Sequence, residues 1–284
     1  MNIEEMRDIS LKEFTTLHIG GICRHCYFPK TEEEIFYLLD HTDPLILGCG
    51  SNVLINDETV LENALILTKF NRIRKEGNTI VADAGARLMD VCLFALEHEL
   101  TGMEFAYGIP GSVGGAIMMN AGAYGGEMID IIKSVKTTEK DYTKEQCEFG
   151  YRHSVFSDSK ECILQGTFQL KKGNRNLIAM KMKELIEKRI EKQPLESYSA
   201  GSTFKRGQDF YASQLISECG LKGYRVNDAQ VSVKHAGFLI NNGHASYRDF
   251  MQLIEDVQRK VFEMTGKKLE CEVKIIGGKD DLRK

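Results

Sequence analysis

Seven of the chain's 26 glycines fall within the nineteen residues 108–126, and no other stretch limits the fold so strongly. Glycine gives up more conformational entropy on folding than any other residue. A cluster like this therefore marks backbone that takes positive φ or lets another body come very close. Pro110 stiffens one end of it. The bare amides of such a segment can cradle phosphates or cofactor rings, and the same pattern also suits a loop between core strands.

A chain of 284 residues has room for about two domains. A formal net charge of -4 and a pI of about 6.0 remove the electrostatic basis for binding nucleic acid, which needs a basic face. No run approaches the ~18 apolar residues of a membrane-spanning helix. The acidic opening of residues 1–8 is unlike a secretion signal, so a cytoplasmic protein is expected, with no membrane partner. The cysteines, from Cys23 to Cys271, are too dispersed for a disulfide framework. Cys23 and Cys26, with His18 nearby, stand at metal-ligand spacing, but no second ligand pair follows. Their flanks read as a buried strand, which makes them small core residues and leaves no metal expected.

Between residues 17 and 170, short apolar runs are split by Gly, Asn, Asp and Pro, and two windows carry helical spacing. In 31–39, Thr31 and Glu34 form a capping box ahead of Ile35, Leu38 and Leu39; in 88–100, Val91, Phe94, Ala95 and His98 share one face. Strands are expected at 45–47, 65–67, 79–82, 131–137 and 162–170. This irregular interleaving favours an α+β fold over a doubly wound sheet. The polar stretch 171–176 reads as a domain boundary, followed by a helix at 179–192 that stops before Pro194. Beyond it the pattern predicts a helix at 211–219, strands near Val231 and at 237–241, a helix at 247–265 and a last strand at 271–276.

Residues 45–53 begin as a dinucleotide fingerprint does, with a strand running into Gly48-x-Gly50. The third glycine is missing, however, and 53–56 reads as another strand instead of a helix. A strand-turn-strand offering the amides of Gly50, Ser51 and Asn52 still suits a diphosphate. Arg152 lies among Phe149, Tyr151 and Phe156; its planar fork suits a carboxylate or phosphate as well as an ion pair between domains. Ser202 follows a flexible Gly201 and precedes Lys205 and Arg206. It is in no Gly-x-Ser-x-Gly elbow and has no signature histidine, so a turn residue or proton donor fits better than a hydrolase nucleophile. Alternation puts Glu270, Glu272 and Lys274 on one strand face, where a carboxylate turned toward a cleft is suited to acid–base chemistry. His235 and Asn241 add polar candidates around a strand.

The motifs also have an order: Gly-x-Gly-Ser-Asn (48–52), Gly-Ile-Pro-Gly-x-Val-Gly-Gly (108–115), Met-Asn-Ala-Gly-Ala-Tyr-Gly (119–125) and Tyr-Arg-x-Ser-x-Phe (151–156). Ala-Gly-Ser-x-Phe-Lys (200–205), Lys-His-Ala-Gly-Phe (234–238) and Glu-Val-Lys-Ile-Ile-Gly (272–277) follow. Together they resemble the UDP-N-acetylenolpyruvoylglucosamine reductase (MurB) family over nearly the whole chain, in the shorter subtype that lacks an extra substrate-domain loop. The resemblance implies an N-terminal arm (1–16), an FAD-binding domain of the vanillyl-alcohol-oxidase (PCMH) type (17–174, subdomains about 17–70 and 71–174) and a substrate-binding domain (175–284). It implies an NADPH-dependent flavoenzyme of peptidoglycan synthesis that reduces the enolpyruvyl ether of UDP-N-acetylglucosamine to UDP-N-acetylmuramate. NADPH and the sugar nucleotide are expected to use one cleft in turn, and the protein to be a monomer.

Matched residue by residue, Arg152 holds the substrate carboxylate and takes up charge as it develops; Glu272, protonated through desolvation, shares that load. Ser202 delivers a proton to C2. Expected FAD contacts are Gly48, Cys49, Gly50, Ser51, Asn52 and Val53, then Gly111, Ser112, Gly114, Gly115, Ala116, Asn120 and Gly122. Expected substrate contacts are Tyr124, Gly201, Lys205, Arg206, His235 and Asn241. Where many members read Lys-Asn-Pro, this chain has Lys205-Arg206-Gly207, so a more mobile segment is expected there. A flavin oxidase of the same superfamily and a non-catalytic nucleotide-sugar binding protein are the alternatives.

Overall fold

A computed structural model describes residues 3–278. Residues 1 and 2 of the expected arm and 279–284 of the expected C-terminal domain lie outside the described residues. Helices and strands mix along the chain as an α+β fold does. The chain forms two compact units, one of Met1–Arg7, His25–Cys49 and Glu62–Arg189, the other of Asp8–Arg24, Gly50–Leu61 and Ile190–Lys284. Each is assembled from separated segments, unlike the single boundary expected at 171–176. That polar stretch instead pairs Lys171–Lys172 with Leu100–Thr101 and leads into the helix Arg175–Lys192. Ile178 and Met182 of this helix enter the first unit's core, which carries the helix with that unit.

The first unit is built on a five-stranded sheet in the order Asp141–Thr143, Ile132–Thr137, Ile163–Gln169, Thr79–Asp83 and Ile73–Glu76, antiparallel throughout. Thr79–Asp83 is buried at every position. The short helix Val113–Met118 lies so close to the sheet that a Cβ on Gly166 would stand 2.7 Å from Ile117 Cδ1. The expected helix at 88–100 ends at Glu97, because Glu99 turns left-handed at φ 57° and Leu100–Thr101 becomes a strand. In the helix Glu32–His41, Thr31 Oγ1 accepts from Glu34 N. The Glu34 carboxylate accepts from Lys30 N instead of closing the box on Thr31.

A further sheet orders Glu5–Ser10, Ile22–Tyr27, Val60–Ile66 and Leu45–Leu47. Its first strand is an edge strand of mostly exposed residues with no apolar alternation, so the sequence pattern gave no sign of it. Ile22–Tyr27 buries Cys23 and Cys26 completely, as their flanks predict.

The second unit carries a four-stranded sheet, ordered Tyr198–Ser202, Phe238–Asn241, Ala229–Val231 and Arg225–Val226, all antiparallel. The helix Tyr247–Thr265 packs on it with the expected bounds, set by a Ser246–Asp249 capping box and a left-handed Gly266. Its buried face of Phe250, Leu253, Ile254, Val257 and Val261 contributes about 1.5–3 kcal/mol per side chain. Lys274–Ile276 pairs in parallel with Val53–Ile55, so the last strand starts three residues later than expected. Among the described residues no helix is long and apolar enough to cross a membrane.

Candidate active site

The glycine-rich segment is not simply a loop, because Val113–Met118 forms a helix within it, capped by Ser112, whose Oγ accepts from Gly115 N at 3.4 Å. Adjacent glycines hide this helix from propensity, and the serine cap is the one local signal that marks it. Gly48 is pressed onto the cap: a Cβ there would lie 2.0 Å from Ser112 Oγ. Two stretches expected at the cofactor are thus brought together through Gly48 and Ser112. Gly111 is tied in through its carbonyl, which accepts from Leu88 N, and Gly114 through its amide, which donates to Ala84 O. Ala116 is buried. Gly115 is exposed, and a Cβ on it would meet nothing nearer than Ser112 Oγ at 3.5 Å.

Asn120, expected as a cofactor contact, has a different use. It is buried at φ 41°, its amide donates to Glu127 Oε2 and Gly150 O, and its Oδ1 accepts from Ile129 N. With both donors and the acceptor engaged, the side chain fixes the segment rather than facing a ligand. Gly122–Ala123 and Gly126–Glu127 pair as a hairpin around Tyr124 and Gly125, both at positive φ, as a two-residue turn of this kind requires. Tyr124 stands exposed at its tip.

Arg152 reaches this hairpin, Nη2 donating to Gly122 O at 3.4 Å, with its Cζ 5.2 Å from the Tyr151 ring. Its backbone is left-handed at φ 53°, a strained conformation for a residue with a Cβ. The rest of the Tyr-Arg-x-Ser-x-Phe motif supplies the hold: Ser154 Oγ donates to Met118 O at 2.8 Å and Phe156 is fully buried.

In the second unit the turn at 50–52 is held by its carbonyls. Gly50 O accepts from Thr16 N and Asn52 O from Lys274 N. A Cβ on Gly50, at φ 58°, would lie 2.0 Å from Phe14 O. Among the described residues the amides of Gly50 and Ser51 donate to no protein acceptor. Donor amides around a left-handed glycine fit the diphosphate of FAD. Cys49 precedes the turn with its thiol pushed up by burial, and Val53 begins the strand that holds the turn's far side.

Ser202 ends its strand after a register slip against Phe238–Asn241, with Gly201 at φ 74° and open space around its Cβ position. The glycine is there for its backbone angle, and the bulge re-aims Ser202. The following residues run beside the end of the chain: Glu272 N donates to Thr203 O at 2.8 Å and Lys205 N to Glu270 O at 2.9 Å. Asn52 Nδ2 adds a bond to Glu272 O. Ser202, Lys205, Glu272 and Asn52 are therefore brought together. Glu270 and Glu272 do not share a regular strand face: both precede the strand, Glu270 is exposed and Glu272 half-buried.

Arg206 is exposed. Gly207, expected to loosen the segment, is instead tied by its amide to Phe210 O, and a Cβ would meet the Phe210 ring at 2.2 Å. A proline there has no N–H for that bond. His235 Nδ1 accepts from Gly237 N, and burial lowers the ring's pKa from 6.5. The ring is thereby held neutral with its proton on Nε2. The Asn241 side chain is engaged within the protein: it is buried, donates to Leu17 O, and accepts from Gly243 N and Ala245 N.

Comparison with known proteins covers both parts of the chain. Residues 27–142 match the FAD binding domain family, and residues 193–276 match the C-terminal domain of UDP-N-acetylenolpyruvoylglucosamine reductase. The chain is similar to a protein of that name from Geobacillus thermodenitrificans, 44% identical over 96% of this chain and 93% of the relative. Another, from Pseudothermotoga lettingae, is 44% identical over 94% and 96% respectively. Among solved structures, the UDP-N-acetylenolpyruvylglucosamine reductase of Thermus caldophilus superposes with a TM-score of 0.84 at 33% identity, covering 97% of this chain and 99% of that one.

Proposed function

The chain belongs to the UDP-N-acetylenolpyruvoylglucosamine reductase family, an oxidoreductase family, and from that premise we propose that it reduces UDP-N-acetylglucosamine enolpyruvate to UDP-N-acetylmuramate for peptidoglycan synthesis. FAD, when bound, supplies the hydride, taken from NADPH and delivered to C3 of the enolpyruvyl group. The 50–52 turn and the Ser112-capped helix are the groups that would hold this cofactor. Hydride at C3 leaves negative charge on C2 that spreads into the carboxylate as an enolate, and stabilising it is the main task of the protein groups. Arg152 binds the carboxylate, because a guanidinium fork offers two parallel donors to its oxygens. Glu272, as a neutral acid, donates to the same developing charge, and Ser202 gives its hydroxyl proton to C2. Lys205, two residues beyond the Ser202–Thr203 bond, polarises that hydroxyl or a water beside it.

The observation that supports these roles is the pair of backbone bonds linking 203–205 to 270–272, which brings the segments carrying Ser202 and Glu272 together. Tyr124, Arg206 and the Nε2–H of His235 are the remaining substrate contacts in this reading. NADPH and the sugar nucleotide take turns at one cleft, and the protein acts as a cytoplasmic monomer. Ser202→Ala tests the mechanism by anaerobic stopped-flow absorbance. Flavin reduction by NADPH should stay near the wild-type rate while reoxidation by the enolpyruvyl substrate slows at least 100-fold; equal loss in both half-reactions excludes the proton-donor role.

A further inference from the structure

The roles above require Ser202 to stand in a fixed relation to the cofactor turn, and Thr16 bonds to both elements. Its N–H donates to Gly50 O at 3.1 Å, its carbonyl accepts from Ser199 N at 3.1 Å, and its Oγ1 donates to Ser199 O at 2.7 Å. One residue thus sends one bond to the 50–52 turn and two to the strand Tyr198–Ser202. That strand needs an outside hold. It is the edge of its sheet, paired only with Phe238–Asn241, and the pairing slips between Ser199 and Ser202. An edge strand presents a row of unpaired N–H and C=O groups, and at Ser199 the outward pair is taken up by Thr16. Both bonds stand at the last regular pairing before the slip, three residues from Ser202.

Thr16 is itself fixed from both sides. A Cβ on Gly50 would lie 2.0 Å from Phe14 O and 2.9 Å from Thr15 Cα, so the turn is pressed onto the residues just before Thr16. Thr15 Oγ1 donates to Ile19 O at 3.0 Å. Leu17 is buried in the second unit's core, and its carbonyl accepts from Asn241 Nδ2 at 3.1 Å. His18 is held left-handed at φ 59°, with its ring stacked 4.5 Å from that of Tyr198, the residue that opens the strand. A histidine in that conformation persists only where its surroundings impose it. We propose that Thr16 is a positioning residue for the proton transfer: it ties the strand ending in Ser202 to the turn that would hold the FAD diphosphate, and so fixes where the Ser202 hydroxyl stands. A reacting group displaced by about 1 Å can lose about 100-fold in rate. Thr16 acts through Ser202, so reduction of the flavin by NADPH, which uses no serine proton, does not depend on it. This inference rests on the reductase reading for the role of Ser202.

The test uses Thr16→Val, which keeps the shape and both backbone bonds and deletes the bond to Ser199 O, with Thr16→Ser as the variant that restores it. Flavin content and thermal melting check folding. In anaerobic stopped-flow, reoxidation of reduced flavin by the enolpyruvyl substrate should slow about 5- to 10-fold in Thr16→Val, the range for one lost hydrogen bond. Thr16→Ser should reoxidise at close to the wild-type rate, and reduction by NADPH should be unchanged in both. In a Ser202→Ala background, Thr16→Val should cost nothing more, because residues that act as a unit are not additive. Hydrogen exchange followed by mass spectrometry gives a readout without substrate: FAD added to the apoprotein should slow exchange in 198–204, and Thr16→Val should lose most of that protection while its FAD affinity is nearly unchanged. Equal slowing of both half-reactions, a loss that multiplies with that of Ser202→Ala, or normal reoxidation in Thr16→Val with only its melting temperature lowered makes Thr16 a plain structural contact and overturns the proposal. If Thr16→Val does not fold, the wild-type exchange decides, and no FAD-dependent protection of 198–204 overturns it. If wild-type reduced flavin is not reoxidised by the enolpyruvyl substrate, the reductase reading itself fails, while the exchange measurement, which needs FAD alone, still tests the tie between turn and strand.

Discussion

Gly48→Ala is the sharpest test of how the Gly48 and Ser112 stretches of the first unit are joined. A Cβ at position 48 would lie 2.0 Å from Ser112 Oγ and 3.0 Å from Ser112 Cβ, against a comfortable separation of roughly 3.5 Å. The backbone has to retreat by more than 1 Å, or the serine has to abandon its cap. Overpacking of this kind costs about 1–3 kcal/mol. Ser112→Gly removes both colliding atoms, and glycine in place of serine at an N-cap costs only about a few tenths of a kcal/mol. The two substitutions should therefore compensate. Urea denaturation followed by circular dichroism should place Gly48→Ala about 2 kcal/mol below wild type and the double variant within about 1 kcal/mol of it, a coupling expected only for residues in contact. Flavin retention should follow the same order. An additive double variant, as unstable as the two single losses combined, would refute the claim that Gly48 leaves space for the Ser112 cap.

Gly115→Ala should act with opposite signs on fold and cofactor. It sits in a helix with open space at its Cβ position, so alanine should stabilise the apoprotein by about 0.5–1 kcal/mol; flavin fluorescence titration should show weaker FAD binding, and unchanged affinity would remove Gly115 from the cofactor site. Tyr142 predicts an alkaline limit to stability, because its hydroxyl donates to Glu161 at 2.5 Å and that bond pushes its pKa up to about 12. The fold favours the neutral phenol, so the contribution is complete below the unfolded value of about 10 and is lost as pH rises through 12. Tyr142→Phe should flatten the fall in urea midpoint over that window, and an identical pH profile in both proteins would exclude the Tyr142–Glu161 bond as its source.

How much was legible in the sequence follows from what each signal reports. The helix Tyr247–Thr265 was readable to the residue because capping box, apolar stripe and terminal glycine all agree. Ser202 and Glu272 were readable as candidates, but their proximity was not. It arises from backbone bonds between segments about 70 residues apart, and periodicity carries no information about such pairing. Asn120 and Asn241 show the converse error. Polar residues within a motif look like ligand contacts in one dimension, yet each is buried and its side chain bonds to backbone groups, in Asn120 also to Glu127. Arg189 shows a related effect: in a helix rich in Lys, Arg and Glu it reads as one more solvated charge, yet its side chain is turned inward against Gly108.

The glycine cluster itself illustrates the distinction between the two needs that glycine meets. Positive φ accounts for Gly125 at 86°. Gly114 is closed off by Ala84, Gly122 by Glu127, Gly126 by Phe105 and Gly108 by Ile186 and Arg189, each within 3.0 Å of the would-be Cβ. For these the approaching body is the protein's own chain. Gly115, like Gly125, is exposed and free of close approach at its would-be Cβ. The cluster is therefore mostly scaffold: its glycines let a short helix, a hairpin and the neighbouring helix pack closely, and that packing offsets the entropy they lose on folding.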